Sequence, residues 1–102
     1  MTDALARLQT WYLSHCDGQW EHGYGVRIGT LDNPGWSLRI DLTGTELATA
    51  KFPERKDNYE SERDWLICRK TKEVFEGFCG PTRLADVIEV FLSWAAVRPK
   101  CS

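Results

Sequence analysis

Apolar residues near the start of the chain recur with the spacing of an amphipathic helix. Five side chains fall on one face of such a helix: Leu5, Leu8, Trp11, Tyr12 and His15. Thr2 or Asp3 can cap its first turn, and Gly18 of the "CDG" sequence suits the left-handed turn that ends it. The pattern therefore predicts a helix over residues 3–15.

The period then changes from that of a helix to that of a strand. Alternate positions from Tyr24 to Ile28 are apolar, and the alternation is cleaner in WSLRIDL, residues 36–42. Between the two runs, Pro34 and Gly35 fit the central positions of a type II turn in which Gly35 takes a positive φ. This arrangement predicts a β-hairpin.

The middle of the chain predicts a strand, a loop and a second hairpin. ELATAKF, residues 46–52, has the pattern of a weaker strand. PERKDNYESERD, residues 53–64, is almost wholly charged and polar, so we expect a surface loop. The segments DWLICRK and EVFEGFC, joined near Thr71 and Lys72, are rich in aromatic and β-branched residues and predict the last two strands.

A second amphipathic helix closes the chain. Its apolar stripe consists of Leu84, Val87, Ile88, Phe91, Trp94 and Ala95. Pro81 suits the first helical position, and Pro99 ends the helix. The order α–β–β–β–β–β–α with short connections predicts one α+β domain over residues 1–102. We expect an antiparallel β-meander of about five strands, flanked by an N-terminal and a C-terminal helix packed on one face.

Composition excludes several classes of function. The 102 residues carry a formal net charge of −2, which supplies no basic field for a phosphate backbone, so we expect no nucleic-acid ligand. The N-terminal residues lack a basic region followed by an apolar one, and no apolar run is long enough for a membrane span. We expect a cytoplasmic protein that does not bind membranes and whose four cysteines are reduced thiols.

One short stretch contains residue types that can carry chemistry. Cys16, Glu21 and His22 match the composition of a thiol–imidazole–carboxylate site, but no glycine-flanked nucleophile motif surrounds Cys16. A metal site would add His15, which lies seven positions before His22, yet the chain has no short-spaced ligand pairs. A small thiol hydrolase and a metal-binding domain remain alternatives, and we expect no cofactor.

The chain resembles the immunity protein 53 family of bacterial polymorphic toxin systems. The resemblance rests on five segments: WYLSHCDGQWEHGYGVRIGTLDNPGW, IDLTGTEL, DWLIC, FEGFCGP and FLSWA. Together they cover most of the chain outside the polar loop and the tails. The resemblance implies a cytosolic antitoxin, not an enzyme, that protects the producing cell by binding a cognate protein toxin. It assigns no binding residues.

A toxin-binding surface needs a few aromatic anchors surrounded by complementary charge. Trp20 lies outside every apolar period, so the sequence leaves its exposure open. We predict a partner-binding patch at one end of the sheet, made by Trp20, Glu21, His22, Tyr24 and Asp32. Residues of the polar loop would add an acidic rim: Glu54, Asp57, Tyr59, Glu60 and Glu62.

The same stretch also has a purely structural interpretation. Asp17 and Gly18 would make the turn between helix and strand, while Glu21 and His22 would form hydrogen bonds with backbone groups that the corner leaves open. The two interpretations differ in whether these side chains face solvent or face the backbone of the corner itself.

Overall fold

The computed structural model of the protein describes residues 3–57 and 64–97. The elements found in these residues are α1 (Ala4–His15), α2 (Trp20–Gly23), β1 (Val26–Leu31), β2 (Gly35–Asp41), β3 (Arg55–Asp57), β4 (Leu66–Thr71), β5 (Val74–Cys79) and α3 (Leu84–Val97). The strands form one antiparallel sheet of five. The predicted α+β class, with a helix at each end of the chain, is confirmed.

The strand order is β1-β2-β5-β4-β3, which is not that of the predicted simple meander. Both predicted hairpins form, with Ile28 opposite Leu38 in β1–β2 and Cys68 opposite Gly77 in β4–β5. However, β2 pairs next with β5 and not with β3. The segment that follows β2 in the chain does not pair with β2 as a strand. The edge of β2 that does not face β1 therefore pairs with β5.

The segment predicted as the third strand is instead a series of turns. Residues 46–52 make no ladder; the N–H of Ala50 donates to the carbonyl of Leu47 at 3.2 Å. The ammonium group of Lys70 donates to the carbonyls of Ala48 and Ala50 at 2.7 and 2.6 Å. Leu47 of this segment is fully buried. The apolar residues that suggested a strand are therefore explained by packing in the core.

The third strand lies within the segment predicted to be a loop. β3 pairs with β4, with Lys56 opposite Ile67. A sheet edge is held by main-chain hydrogen bonds, so charged side chains do not prevent pairing there and also discourage further strand addition. The loop prediction is therefore wrong for residues 55–57, and residues 58–63 lie outside the described residues.

The core lies between one face of the sheet and α3, against which α1 also packs. The predicted stripe of α3 is confirmed: Val87, Ile88, Phe91 and Trp94 are buried. The fully buried side chains of the sheet and the following turns include Leu38, Ile40, Leu42, Leu47, Leu66 and Phe75. Alternation along the strands leaves their other side chains on the opposite face of the sheet.

Two details of the predicted turns are wrong. Among the described glycines, positive φ occurs at Gly18 and Gly44, not at Gly35. Gly35 is the first residue of β2, and a Cβ atom there would overlap the carbonyl oxygen of Cys79. Lack of space for a side chain, and not a positive φ, therefore requires glycine at this position.

Pro81 is not at the first position of α3, which begins at Leu84, and Pro99 lies outside the described residues.

Candidate functional site

The corner between α1 and β1 is built by two carboxylates. The side chain of Asp17 accepts from the N–H groups of Gln19 and Trp20, both at 2.9 Å, and so starts α2. The carboxylate of Glu21 reaches back and accepts from the N–H groups of Asp17 and Gly18 at 2.9 and 2.8 Å. The bonds to Asp17 satisfy two N–H groups at the start of α2, and the bonds to Glu21 satisfy two N–H groups of the turn before it.

Hydrogen bonding also sets the charge state of the corner. The N–H groups of Trp20 and Gln19 hold the pKa of Asp17 below its usual value. The pKa of Glu21 is lowered by its own N–H and also by those of Asp17 and Gly18. Donors that stabilise the ionised form lower a carboxyl pKa. Both groups therefore favour the folded state when ionised.

We expect stability to fall in acid in part because of this corner. A carboxyl whose pKa is lowered by folding stabilises the protein above its unfolded pKa, and this stabilisation is lost as the pH falls through the folded pKa. Melting temperatures measured from about pH 7 to about pH 2.5 should therefore decrease, and they should decrease less in the D17N/E21Q variant. Equal acid sensitivity of the two proteins would contradict this role.

Trp20 is buried beneath the corner, with 8% of its surface exposed. Its indole N–H donates to the carbonyl of Thr43 at 2.7 Å. The aromatic rings within about 6 Å of it, centroid to centroid, belong to Trp11, Tyr12, His15 and Tyr24. Trp20 thus joins α1 to the turn after β2 through packing and one hydrogen bond.

His22 and Tyr24 are two of the predicted site residues, and both are exposed at the corner. Tyr24 is 42% exposed while its ring remains in contact with that of Trp20. His22 is also exposed, and within residues 3–57 and 64–97 its ring makes no hydrogen bond. The structural interpretation therefore holds for Asp17 and Glu21 but not for His22, whose side chain is exposed to solvent.

The structure separates Asp32 from the other predicted site residues. Trp20, Glu21, His22 and Tyr24 lie at the corner, whereas Asp32 lies in the turn at the other end of β1. The eight residue steps from Tyr24 to Asp32 span about 26 Å in an extended chain. One patch at one end of the sheet does not contain all five residues.

The predicted acidic rim is only partly described. Tyr59, Glu60 and Glu62 lie outside the described residues. The carboxylate of Asp57 is not a free acid, because Arg83 Nη2 lies 3.0 Å from it. The remaining rim residue, Glu54, is exposed.

The alternatives of a thiol enzyme and a metal site find little support in the geometry. The thiol of Cys16 donates to the carbonyl of Tyr12 at 3.3 Å, and the carboxylate of Glu21 is engaged by the backbone. Burial raises the pKa of Cys68 to about 12, which suppresses the thiolate. In residues 3–57 and 64–97, no group of three or more Cys, His, Asp or Glu side chains is arranged to hold a metal ion.

Two surfaces that the sequence did not single out stand out in the structure. A groove of about 460 Å³ lies between α1 and α3, and His15 Nε2 is 3.3 Å from Glu46 Oε1 at its wall. The face of the sheet opposite α3 carries Arg27, Arg39 and Arg69. The sequence contained a signal for Arg27 and Arg39: both alternate with apolar residues, and a period of two places them on the face opposite the apolar side chains.

Comparison with known proteins gives one match. The family model described as Immunity protein 53 matches residues 5–96, which include every helix and strand at least in part. No curated protein and no solved structure matches the chain. Among the described helices, none combines the length and apolar character that crossing a membrane requires.

Proposed function

Because the chain belongs to the immunity protein 53 family, we propose that it neutralises a cognate toxin of a bacterial polymorphic toxin system by binding it directly. The family match over residues 5–96 is the observation that carries this proposal. The binding would take place in the cytoplasm of the cell that makes both proteins. It would require a stable surface and no catalytic step.

The geometry of the corner supports binding rather than catalysis. A thiol nucleophile needs a base within hydrogen-bond reach and an open path to substrate. Here the Cys16 thiol donates to a backbone carbonyl, and the Glu21 carboxylate accepts from two backbone N–H groups. Groups that hold the backbone in this way favour a rigid surface, which lowers the entropic cost of association.

Of the predicted contact residues, Tyr24 and His22 are those that would touch the toxin at the corner. Both are exposed, and the Tyr24 ring rests on Trp20, which fixes its position. Aromatic side chains held in this way contribute large contact area with little loss of rotamer freedom. Trp20 and Glu21 would act indirectly by holding the corner in shape.

Co-expression with the toxin domain encoded beside this gene tests the function. We expect survival of cells that express both proteins, and co-purification of the two proteins as a stoichiometric complex. Cells that die despite full expression of this chain, with no complex recovered, would contradict the proposal. The same assay without the toxin gives the baseline for growth.

Replacement of the exposed corner residues tests their part in binding. The double variant Y24A/H22A should weaken the complex by roughly tenfold or more while changing the melting temperature little, because both side chains are solvent-exposed. Leu5→Ala is a matched control, since Leu5 is 46% exposed at the other end of α1. Equal affinity of all three proteins would remove Tyr24 and His22 from the interface.

A further inference from the structure

The sheet has one face that no described helix covers. α3 packs on the face that carries Leu38, Ile40 and Phe75, and α1 packs on α3. On the opposite face, the strand registers place four charged side chains in one row across β1, β2, β5 and β4: Arg27, Arg39, Glu76 and Arg69. We refer to these four residues as the arginine row.

The charges of the arginine row do not balance. Glu76 Oε1 accepts from Arg69 Nε at 2.9 Å, and Glu76 Oε2 lies 3.6 Å from Arg39 Nη2. The Glu76 side chain is only 12% exposed, whereas those of Arg39 and Arg69 are 56% and 46% exposed. Arg27 is exposed and forms no ion pair with any other described residue. Three guanidinium groups therefore face solvent around one covered carboxylate.

One pair within the arginine row destabilises the sheet. Arg27 and Arg39 are directly opposite each other in β1 and β2. Like charges in a cross-strand pair are destabilising, and their Cβ atoms are only about 4.5–5.5 Å apart. A solvated sheet face needs only polar side chains, and a chain with net charge −2 has no general excess of positive charge. An acidic residue at position 27 would serve the fold better.

The neighbouring row adds the apolar component of a binding surface. Phe78 lies between Ser37 and Ile67 on the same face and is partly exposed. The guanidinium carbon of Arg69 lies 5.4 Å from the centre of the Phe78 ring. Arginine and aromatic residues are enriched where protein interfaces are energetically important. The face thus combines positive charge with a fixed aromatic ring.

We propose that the arginine row is a toxin-binding surface, and that the toxin presents carboxylates to it. The proposal rests on the proposed function and adds the location and chemistry of the contact. A protein fits better than a nucleic acid because of the scale of the charge. Three guanidinium groups around one covered carboxylate complement a few acidic side chains, whereas the net charge of −2 supplies no basic field for a phosphate backbone.

Charge reversal at Arg27 tests the proposal without loss of folding. Arg27→Glu places a carboxylate opposite Arg39, so the melting temperature should be unchanged or higher. Affinity for the toxin domain encoded beside this gene should fall by about tenfold or more, largely through slower association, and Arg27→Gln should have a smaller effect. For the wild type, the association rate should decrease with added salt, and this dependence should be weaker in Arg27→Gln.

Arg55→Glu is the matched control. It carries the same change of charge, but Arg55 lies on β3, opposite Cys68, and so on the helix-bearing face at the other edge of the sheet. This variant should bind like the wild type. An equal loss of affinity in Arg55→Glu and Arg27→Glu would show that the loss comes from the change in net charge and not from the position of Arg27, and it would overturn the proposal.

The remaining outcomes separate this proposal from the proposed function. If the wild type binds the toxin domain and Arg27→Glu binds it equally well, the arginine row is not the contact and the antitoxin function stands. If the wild type does not bind the toxin domain, both proposals fail. A single-stranded DNA oligonucleotide that binds the wild type tightly but not Arg27→Glu would assign the face to nucleic acid and overturn the choice of a protein partner.

Discussion

Replacing Trp20 with alanine should lower the free energy of unfolding by about 3–5 kcal/mol, the usual cost of deleting a buried large aromatic side chain. Trp20 is 8% exposed and packs against rings of α1 and against Tyr24. The variant also leaves the carbonyl of Thr43 without its 2.7 Å donor. For a domain of about 100 residues, each kcal/mol shifts the melting temperature by about 4–8 °C. Chemical and thermal unfolding would measure the effect.

Two variants separate packing from the hydrogen bond and from surface effects. Trp20→Phe keeps much of the ring packing but removes the indole donor, so it should cost about 1–3 kcal/mol. Tyr24→Ala removes a ring that is 42% exposed and should cost less than Trp20→Ala. A stable Trp20→Ala protein that had lost toxin binding would contradict the supporting role and make Trp20 a direct anchor.

Gly35→Ala should destabilise the protein by about 3 kcal/mol, the upper part of the range for overpacking. The added Cβ would overlap the carbonyl oxygen of Cys79, which is backbone and cannot move away by changing rotamer. Relief would require β2 and β5 to separate where Trp36 pairs with Cys79. Both hairpins meet at this contact, so we expect loss of the whole sheet in one transition, measurable by urea unfolding.

Gly23→Ala is the control for this prediction. Gly23 ends α2, and apart from its chain neighbours and the backbone of its own helix no atom lies within 4 Å of a Cβ built on it. The added methyl group meets open space and reduces the freedom of the unfolded chain, so stability should stay within about 1 kcal/mol of the wild type. Similar losses in both variants would show that glycine is needed for backbone freedom at Gly35 and not for close approach.

The structure of the corner shows why its sequence alone is compatible with several functions. Cysteine, histidine and acidic residues are close in sequence there, but the carboxylates of Asp17 and Glu21 hold the backbone of the turn. Glu21, one of the residues that resemble a reactive site, therefore helps Asp17 to make a rigid platform. A rigid platform that carries an exposed Tyr24 is suited to binding a protein partner.

The sequence alone determined the elements whose pattern is local. The helices α1 and α3 follow a helical period, and the two hairpins follow alternation with a nearby turn, so neighbouring residues suffice to predict these elements. The predicted apolar stripe of α1 is only partly buried, since Leu8 is covered while Leu5 is 46% exposed. The turn-forming role of Asp17 and Glu21 is equally local, because each side chain bonds N–H groups within four residues of itself. The family resemblance was also contained in the sequence and is confirmed by the match over residues 5–96.

Only the tertiary structure decided how these elements combine. Residues 46–52 have a strand-like pattern but form no ladder, because Leu47 is buried in the core and the Lys70 ammonium donates to two carbonyls of the segment. The charged residues 55–57 instead form the edge strand of the sheet. Pairing of β2 with β5 aligned Arg39 with Glu76 across a distance in sequence that no local period encodes. The burial of Trp20 and the arginine row arise from such non-local contacts, since strand pairing and packing choose among partners that are equally compatible with the local pattern.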